Sequence, residues 1–340
     1  MKILYAIQGT GNGHVARATE IVPLLKEMAE TDVLVSGVQS DLTLPFKVDY
    51  SLYGLSFIFG KTGGVDIKGT VSRMKLIRLI KDIYQLPVDK YDLIINDFEP
   101  VSAWACLLRD KQCIGLSHQN AVIHPEASRP AVSGFPGKLI LKNYAPATIK
   151  YGFHFDPVGH TIFTPVIRPA IYNAKPTNKG HYTVYLPAYS DEDIISTLSK
   201  VKHIEWKVFS KHSKKCYSRK NVTIRPVSLE GFSESLISCA GVLCTAGFET
   251  PAEVLYLGKK LCVIPMKNQY EQSCNAASLE NIGVKVLKRF SGNSPEIAEW
   301  ANDSNFLHKS YTNQTKEILK TIVYRHSYCN FHRYYITDKE

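Results

Sequence analysis

Residues 241–275, GVLCTAGFETPAEVLYLGKKLCVIPMKNQYEQSCN, constrain the fold more than any other stretch of this chain. The apolar run Gly241-Val242-Leu243-Cys244 has the character of a buried strand. It breaks at Thr245-Ala246-Gly247, and a helical segment follows with Glu249, Thr250 and Glu253 in its first turns. A second apolar run, Leu261-Cys262-Val263-Ile264-Pro265, ends in a polar loop carrying Gln269, Glu271 and Gln272. Strand, helix and strand in this order belong to a parallel α/β sheet. Ligands of such sheets bind outside the carboxyl ends of the strands. A helix N-terminus there offers free N–H groups and a positive dipole end, which suits phosphate.

The same alternation runs through the rest of the chain. Residues 2–7 read as a strand leading into Gly9-Thr10-Gly11-Asn12-Gly13-His14. Residues 15–29 read as a helix, with Ile21, Leu24, Leu25 and Met28 at helical spacing. Further strands are expected at 32–36, 46–52, 92–97 and 112–117, with a helix opened by Pro100 and a glycine-rich loop over 57–69. Asp156-Pro157, Gly159 and Thr164-Pro165 punctuate a domain edge. The pattern then restarts, with strands at 181–186, 204–209 and 222–225 and helices at 191–199, 232–238, 294–300 and 313–324. The expectation is two Rossmann-like α/β domains facing across a cleft. Residues 1–168 form the first and 169–312 the second, and a helical tail over 313–340 is placed to return to the first.

With 340 residues of ordinary globular composition, the chain does not read as disordered, collagen-like or repeat-built. No apolar run reaches the roughly 18–20 residues that cross a bilayer. The N-terminus turns polar too soon for a signal peptide. Eight cysteines with no C-x-x-C spacing suit a reduced, cytoplasmic chain. A formal net charge of +10 favours anionic partners such as nucleotide phosphates or an anionic membrane surface. Nucleic acid is disfavoured, because the basic cluster Lys211, Lys214, Lys215, Arg219 and Lys220 is a short loop without interleaved aromatics. The segment 71–84 reads as a basic amphipathic helix, with Met74, Ile77, Ile80 and Ile83 on one face and Arg73, Lys75, Arg78 and Lys81 around it. A surface helix packed on a sheet is the plainer reading; a membrane-facing helix is the sharper one.

Gly9-x-Gly11-x-Gly13-His14 lies between a strand and a helix, where backbone N–H groups meet a phosphate or sugar. It is not the dinucleotide fingerprint, whose third glycine falls one residue later. His14, at a strand end, has the pKa class of a general base near neutral pH. Asp97 ends another buried strand. Two readings stand for it: it orients His14, or it caps the helix that opens at Glu99-Pro100. Gly60-Lys61-Thr62 lacks the spacing of a phosphate loop. Asp191-Glu192-Asp193 follows Ser190 at a helix start, where acids complement the dipole, and no metal is expected.

Three segments together resemble the GT-B glycosyltransferases, in particular the group of the peptidoglycan N-acetylglucosaminyltransferase and the UDP-sugar transferases. Gly9-Thr10-Gly11-Asn12-Gly13-His14-Val15 is similar to the first glycine-rich loop of the peptidoglycan enzyme. Ser117-His118-Gln119-Asn120-Ala121-Val122 is similar to its His-Glu-Gln-Asn-Ala loop. The 241–275 stretch resembles the donor signature, with Gly247, Thr250 and Glu253 matching by spacing. Pro165-Val166-Ile167-Arg168 is similar to a Pro-Val-Arg segment at the domain junction, with one extra residue. The resemblance implies His14 as catalytic base and Asp97 as its support. It implies Glu253 on the ribose hydroxyls, Glu271 and Gln272 on the donor sugar, and Gly247, Thr250 and Arg168 at the diphosphate. Gly11, Gly13, Ser190, Thr245, Ala246 and Phe248 complete the implied donor side, and His118, Gln119 and Asn120 the acceptor side.

Three departures accompany the likeness. Thr245 stands where the signature opens with His or Arg, and Glu249 replaces an Asn or Leu. Pro187-Ala188-Tyr189-Ser190 replaces a Gly-Gly-Ser loop. The implied activity is metal-independent, inverting transfer from a nucleotide sugar, UDP-linked, to a hydroxyl acceptor, lipid-linked or of the cell envelope. No cofactor is expected, and a peripheral position on the inner membrane face follows from the basic helix. The competing readings are a nucleotide-sugar 2-epimerase, which incubation of UDP-GlcNAc without acceptor would reveal, and a non-catalytic nucleotide-sugar-binding subunit.

Overall fold

A computed structural model describes residues 1–10, 12–37, 44–55, 75–128 and 135–336. Gly11, the 57–69 loop with Gly60-Lys61-Thr62, and residues 71–74 of the basic helix lie outside them.

The first sheet has the order β3-β2-β1-β4-β5-β6-β7, from β1 (Lys2–Gln8), β2 (Glu30–Ser36), β3 (Tyr50–Leu52), β4 (Leu93–Asp97), β5 (Ile114–Leu116), β6 (Ile149–Phe153) and β7 (Ile162–Phe163). Every pairing in it is parallel. Such strands are covered on both faces, which is why β1 and β4 read as continuous apolar runs. Helices α1 (Asn12–Met28), α2 (Leu76–Gln85), α3 (Pro100–Leu108), α4 (His118–Val122) and α5 (Phe135–Tyr144) belong to this half.

After the short helix α6 (Pro169–Tyr172) the second sheet has the order β10-β11-β9-β8-β12-β13-β14. It uses β8 (Tyr182–Tyr185), β9 (Trp206–Ser210), β10 (Tyr217–Arg219), β11 (Val222–Pro226), β12 (Gly241–Thr245), β13 (Lys260–Ile264) and β14 (Lys285–Val286). The hairpin strand β10 is antiparallel to β11, and the other pairs are parallel. Helices α7 (Asp191–Leu198), α8 (Leu229–Ser238), α9 (Glu249–Tyr256), α10 (Tyr270–Asn281) and α11 (Ser294–Asn302) accompany it.

Both sheets reverse strand order beside their first strand, between β1 and β4 and between β8 and β12. That reversal opens a crevice at the carboxyl ends of the neighbouring strands. The crevice of the first half carries Gly9, Thr10, the start of α1 and Asp97; that of the second carries Tyr185 and the 245–249 turn.

The last helix, α12 (Thr315–Ile336), returns to the first half. Leu319 and Ile322 join the core around Ile21 and Leu25, Lys316 pairs with Glu27 at 2.7 Å, and His326 meets the Tyr151 hydroxyl at 3.0 Å. That apolar cluster runs through both halves, with Phe155 and Phe248 in contact at 5.0 Å between ring centroids.

Strand β7 lies in the stretch expected to be a domain edge, and β6 comes just before it. Lys150 and Gly152 interrupt the apolar run of β6, and β7 has two residues, so neither carries a strand signal of its own. Helix α2 buries Leu79 and Ile83 but leaves Ile77 87% exposed, with Leu76, Ile80 and Tyr84 also exposed. No helix among the described residues is long and apolar enough to cross a membrane.

Candidate active site

Register brings His14 and Asp97 together. Strands β1 and β4 align Ile7 with Asp97, so Asp97 ends beside the loop that starts α1. Phe98 follows with φ of 57°, a left-handed conformation that costs a non-glycine residue about 1–3 kcal/mol. The turn separates two neighbouring carboxylates. Glu99 points back onto α3 and accepts from the N–H groups of Val101 at 2.7 Å and Ser102 at 2.6 Å. The helix cap is therefore Glu99. Asp97 turns the other way, its Oδ1 2.8 Å from His14 Nδ1.

Asp97 is wholly buried. Burial works to raise its pKa, but the charges of Arg17 and His14 outweigh it and hold the carboxyl below the usual range. Arg17 lies one turn after His14 on the same helix face and donates to Asp97 through Nε at 3.1 Å and Nη2 at 2.6 Å. Burial works to lower the His14 pKa, but the charge and hydrogen bond of Asp97 more than offset it, and the imidazole sits above its ordinary 6.5. With Nδ1–H donated to Asp97, the free lone pair is on Nε2. The Gln119 amide lies 3.2 Å from that nitrogen and also donates to Glu271 Oε2 at 3.0 Å. Gln119 Oε1 is buried without a partner among the described residues. Burial raises the Glu271 pKa, against Gln119 and His14.

The opposite wall is the turn between β12 and α9. Thr245 and Gly247 face the cleft; a Cβ built on Gly247 meets nothing within 4 Å. Glu249 crosses to the first half and pairs with Arg17 Nη1. Its carboxyl passes over Gly13, where a side chain would collide with it. Asn12 Nδ2 likewise reaches across, to the Tyr185 hydroxyl at 3.2 Å.

Two connected cavities share this turn. The smaller is lined by Thr250, Glu253, Arg168, Ser228, Leu229 and Phe232. The larger is lined by His14, Phe98, Gln119, Tyr144, Glu271 and Gln272. Both also touch Asn12, Gly13, Tyr185, Thr245, Gly247, Phe248 and Glu249.

Several residues expected at the site are engaged in contacts of the fold. Arg168 gives Nε and Nη2 to Glu253, both at 2.6 Å, and Nη1 to Ser233 at 3.1 Å. Its fork is occupied by Glu253 rather than turned to a diphosphate. Ser190 caps α7 by accepting from Asp193 N–H at 3.2 Å and lines neither cavity. Ala246 is spent through its backbone, its carbonyl accepting from Asn275 at 3.1 Å. Of the three expected acceptor residues only Gln119 faces the cleft, because successive residues of a helix point about 100° apart. His118 is buried between the halves, 2.7 Å from Asn275 Oδ1 and stacked on Phe248 at 3.8 Å. Burial presses its pKa down to about 3. Asn120 donates to the Tyr151 carbonyl at 3.0 Å. Gln272 lines the larger cavity while its Oε1 accepts from Met266 N–H at 3.0 Å.

Arg17, Phe98 and Tyr144 were not anticipated. Arg17 had one signal, its i+3 spacing from His14. Phe98 and Tyr144 stack at 4.8 Å in the larger cavity, a contact between residues far apart in sequence.

A family model described as glycosyl transferase family 1 matches residues 1–299. Three similar solved structures are glycosyltransferases. A UDP-glucosyltransferase from Polygonum tinctorium capable of glucosylating indoxyl is 12% identical, over 96% of this chain and 93% of that one, with a TM-score of 0.57. The spinosyn rhamnosyltransferase SpnG, complexed with thymidine diphosphate, is 11% identical over 95% and 100%, with a TM-score of 0.56. MurG of Acinetobacter baumannii is 13% identical over 95% and 99%, with a TM-score of 0.53. At these identities the likeness is one of fold: two facing α/β halves, as expected for GT-B. Comparison with curated protein sequences found no match.

Proposed function

The chain belongs to glycosyl transferase family 1, and on that premise we propose that it moves a sugar from a UDP-linked donor to a hydroxyl acceptor with inversion at the anomeric carbon. The observation that carries this reading is the His14–Asp97 pair at 2.8 Å, with His14 facing the 245–249 turn across one cleft. His14 Nε2 takes the acceptor hydroxyl proton as the acceptor oxygen attacks the anomeric carbon. The bond from that carbon to the diphosphate breaks, and the nucleoside diphosphate leaves. Asp97 holds the imidazolium that forms. A single displacement of this kind inverts the centre.

The smaller cavity suits the nucleoside. Leu229 and Phe232 give the base an apolar wall, and Glu253 keeps lone pairs for ribose hydroxyls beyond those that Arg168 uses. The start of α9 at Gly247 and Thr250 offers N–H groups to the diphosphate, the role that a metal fills in other transferases. Glu271 and Gln119 face the sugar. A thermal-shift panel of UDP-, dTDP- and GDP-sugars tests the donor. UDP-sugars are expected to raise Tm, since a ligand at 100 times its Kd stabilises by about 2.7 kcal/mol. No shift with any of them overturns the reading.

Phe98, Tyr144, Ile140 and Leu141 give the acceptor side an apolar wall, which suits an acceptor with a lipid or other apolar tail. The exposed Leu76, Ile77, Ile80 and Tyr84 of α2, beside Lys75, Arg78 and Lys81, suit an anionic bilayer surface. Flotation with anionic liposomes at low salt is expected to carry the protein up, and salt to release it. Protein that stays at the bottom of the gradient at low salt excludes this membrane role.

A further inference from the structure

Glu249 sits where the proposed function least wants a carboxylate. A donor with its nucleoside beside Glu253 and its sugar beside Glu271 runs its diphosphate along the wall common to both cavities. Glu249 is part of that wall, and its charge repels the phosphates at close range.

Its partner shows how the conflict is resolved. Arg17 uses Nε and Nη2 on Asp97, inside the first half, and these contacts belong to the fold of that half. Nη1 is the edge that reaches toward the cleft, and there it carries Glu249 of the other half. The Arg17 side chain is 1% exposed and the Glu249 side chain 22%, so Glu249 is the member free to leave. Gly13 beneath it has no side chain to obstruct the carboxyl or whatever replaces it. Arg168 does not serve this place, because Glu253 and Ser233 occupy its fork. Guanidinium binds carboxylate and phosphate oxygens with the same geometry.

Resting on the donor reading above, we infer that Glu249 is a displaceable stand-in for the donor diphosphate, and that Arg17 Nη1 is the phosphate contact it occupies. Without donor, the ion pair spans the cleft and occupies Arg17 Nη1. With donor, a phosphate oxygen takes Nη1 and the Glu249 carboxylate turns out to solvent. The exchange selects ligands that bring phosphate to Arg17 and gives nothing to a nucleoside alone. Thr245, which brings no cation to this turn, is compensated from the other half of the molecule.

Calorimetry with UDP and with uridine, on the wild type and on Glu249→Gln, tests the exchange. The glutamine keeps the shape and removes the competing charge. UDP is expected to bind the variant about tenfold more tightly, and uridine equally to both proteins. Glu249→Ala is expected to gain in the same direction. UDP affinity unchanged or weakened in both variants overturns the exchange and makes the pair a closing contact retained during turnover. An equal gain for uridine also overturns it, because the gain then comes from an opened cleft. In either case the donor reading survives. Wild-type protein that binds no UDP overturns the donor reading, and this inference with it.

Discussion

His14→Ala is expected to lower kcat for sugar transfer by roughly 10²–10⁴-fold, the usual worth of a positioned general base. UDP affinity is expected to stay within about twofold of wild type, because the His14 ring lines only the larger cavity. The pH profile adds a signature that a structural role would not produce. Neutral His14 is the active form, and its pKa lies above 6.5 because Asp97 outweighs burial. kcat/KM is therefore expected to fall as pH drops through a value above 6.5. Asp97→Asn removes the charge and leaves burial and Arg17 to act, so the acid limb is expected to move to lower pH. Stability runs the other way. The raised pKa means the His14–Asp97 pair contributes fully below the unfolded value of 6.5, and the contribution fades as pH rises through the folded value. An acid limb unmoved by Asp97→Asn would remove Asp97 from this role.

Glu253→Ala is expected to destabilise the protein by about 3–5 kcal/mol in urea unfolding, the cost of leaving a buried partner charge unpaired. Arg168 and Glu253 are both buried and joined by two contacts of 2.6 Å. Loss of UDP affinity is a separate effect of roughly 1–3 kcal/mol, the worth of hydrogen bonds to a charged group. The two effects come apart in other variants. Arg168→Met with Glu253→Leu replaces both charges by apolar groups and is expected to recover much of the stability, but not the UDP affinity. Glu253→Gln keeps the side-chain shape and some hydrogen bonding, which makes it the better binding probe. A Glu253→Ala protein as stable as wild type would show that Arg168 finds another partner.

The stretch at 241–275 was legible because its two apolar runs become strands with almost every residue buried, and small residues mark the turn between them. Asp97 was legible as a strand-end residue; His14 was read as one too, but the structure places it in the first turn of α1. What joins them is the pairing of β1 with β4, which the intervening chain does not announce. Contacts between distant residues were the hidden part. Arg17 reads as an ordinary helix-surface charge until Asp97 and Glu249 close on it from 80 and 232 residues away. Arg168 and Glu253 were both singled out, for separate tasks, yet they hold each other. Asn120 carried the resemblance as strongly as Gln119, but the short helix turns it inward, and His118 with it. Glu249, a carboxylate where the resemblance leads to phosphate, is one of the residues that tie the two halves together.

The central claim is that the donor's nucleoside and the proton transfer belong to opposite walls of one cleft. UDP calorimetry on His14→Ala and Glu253→Gln, side by side with wild type, tests it most directly. The predicted result is affinity within about twofold of wild type for His14→Ala and affinity roughly five- to tenfold weaker for Glu253→Gln. Lost UDP binding in His14→Ala, with Glu253→Gln unchanged, would contradict it.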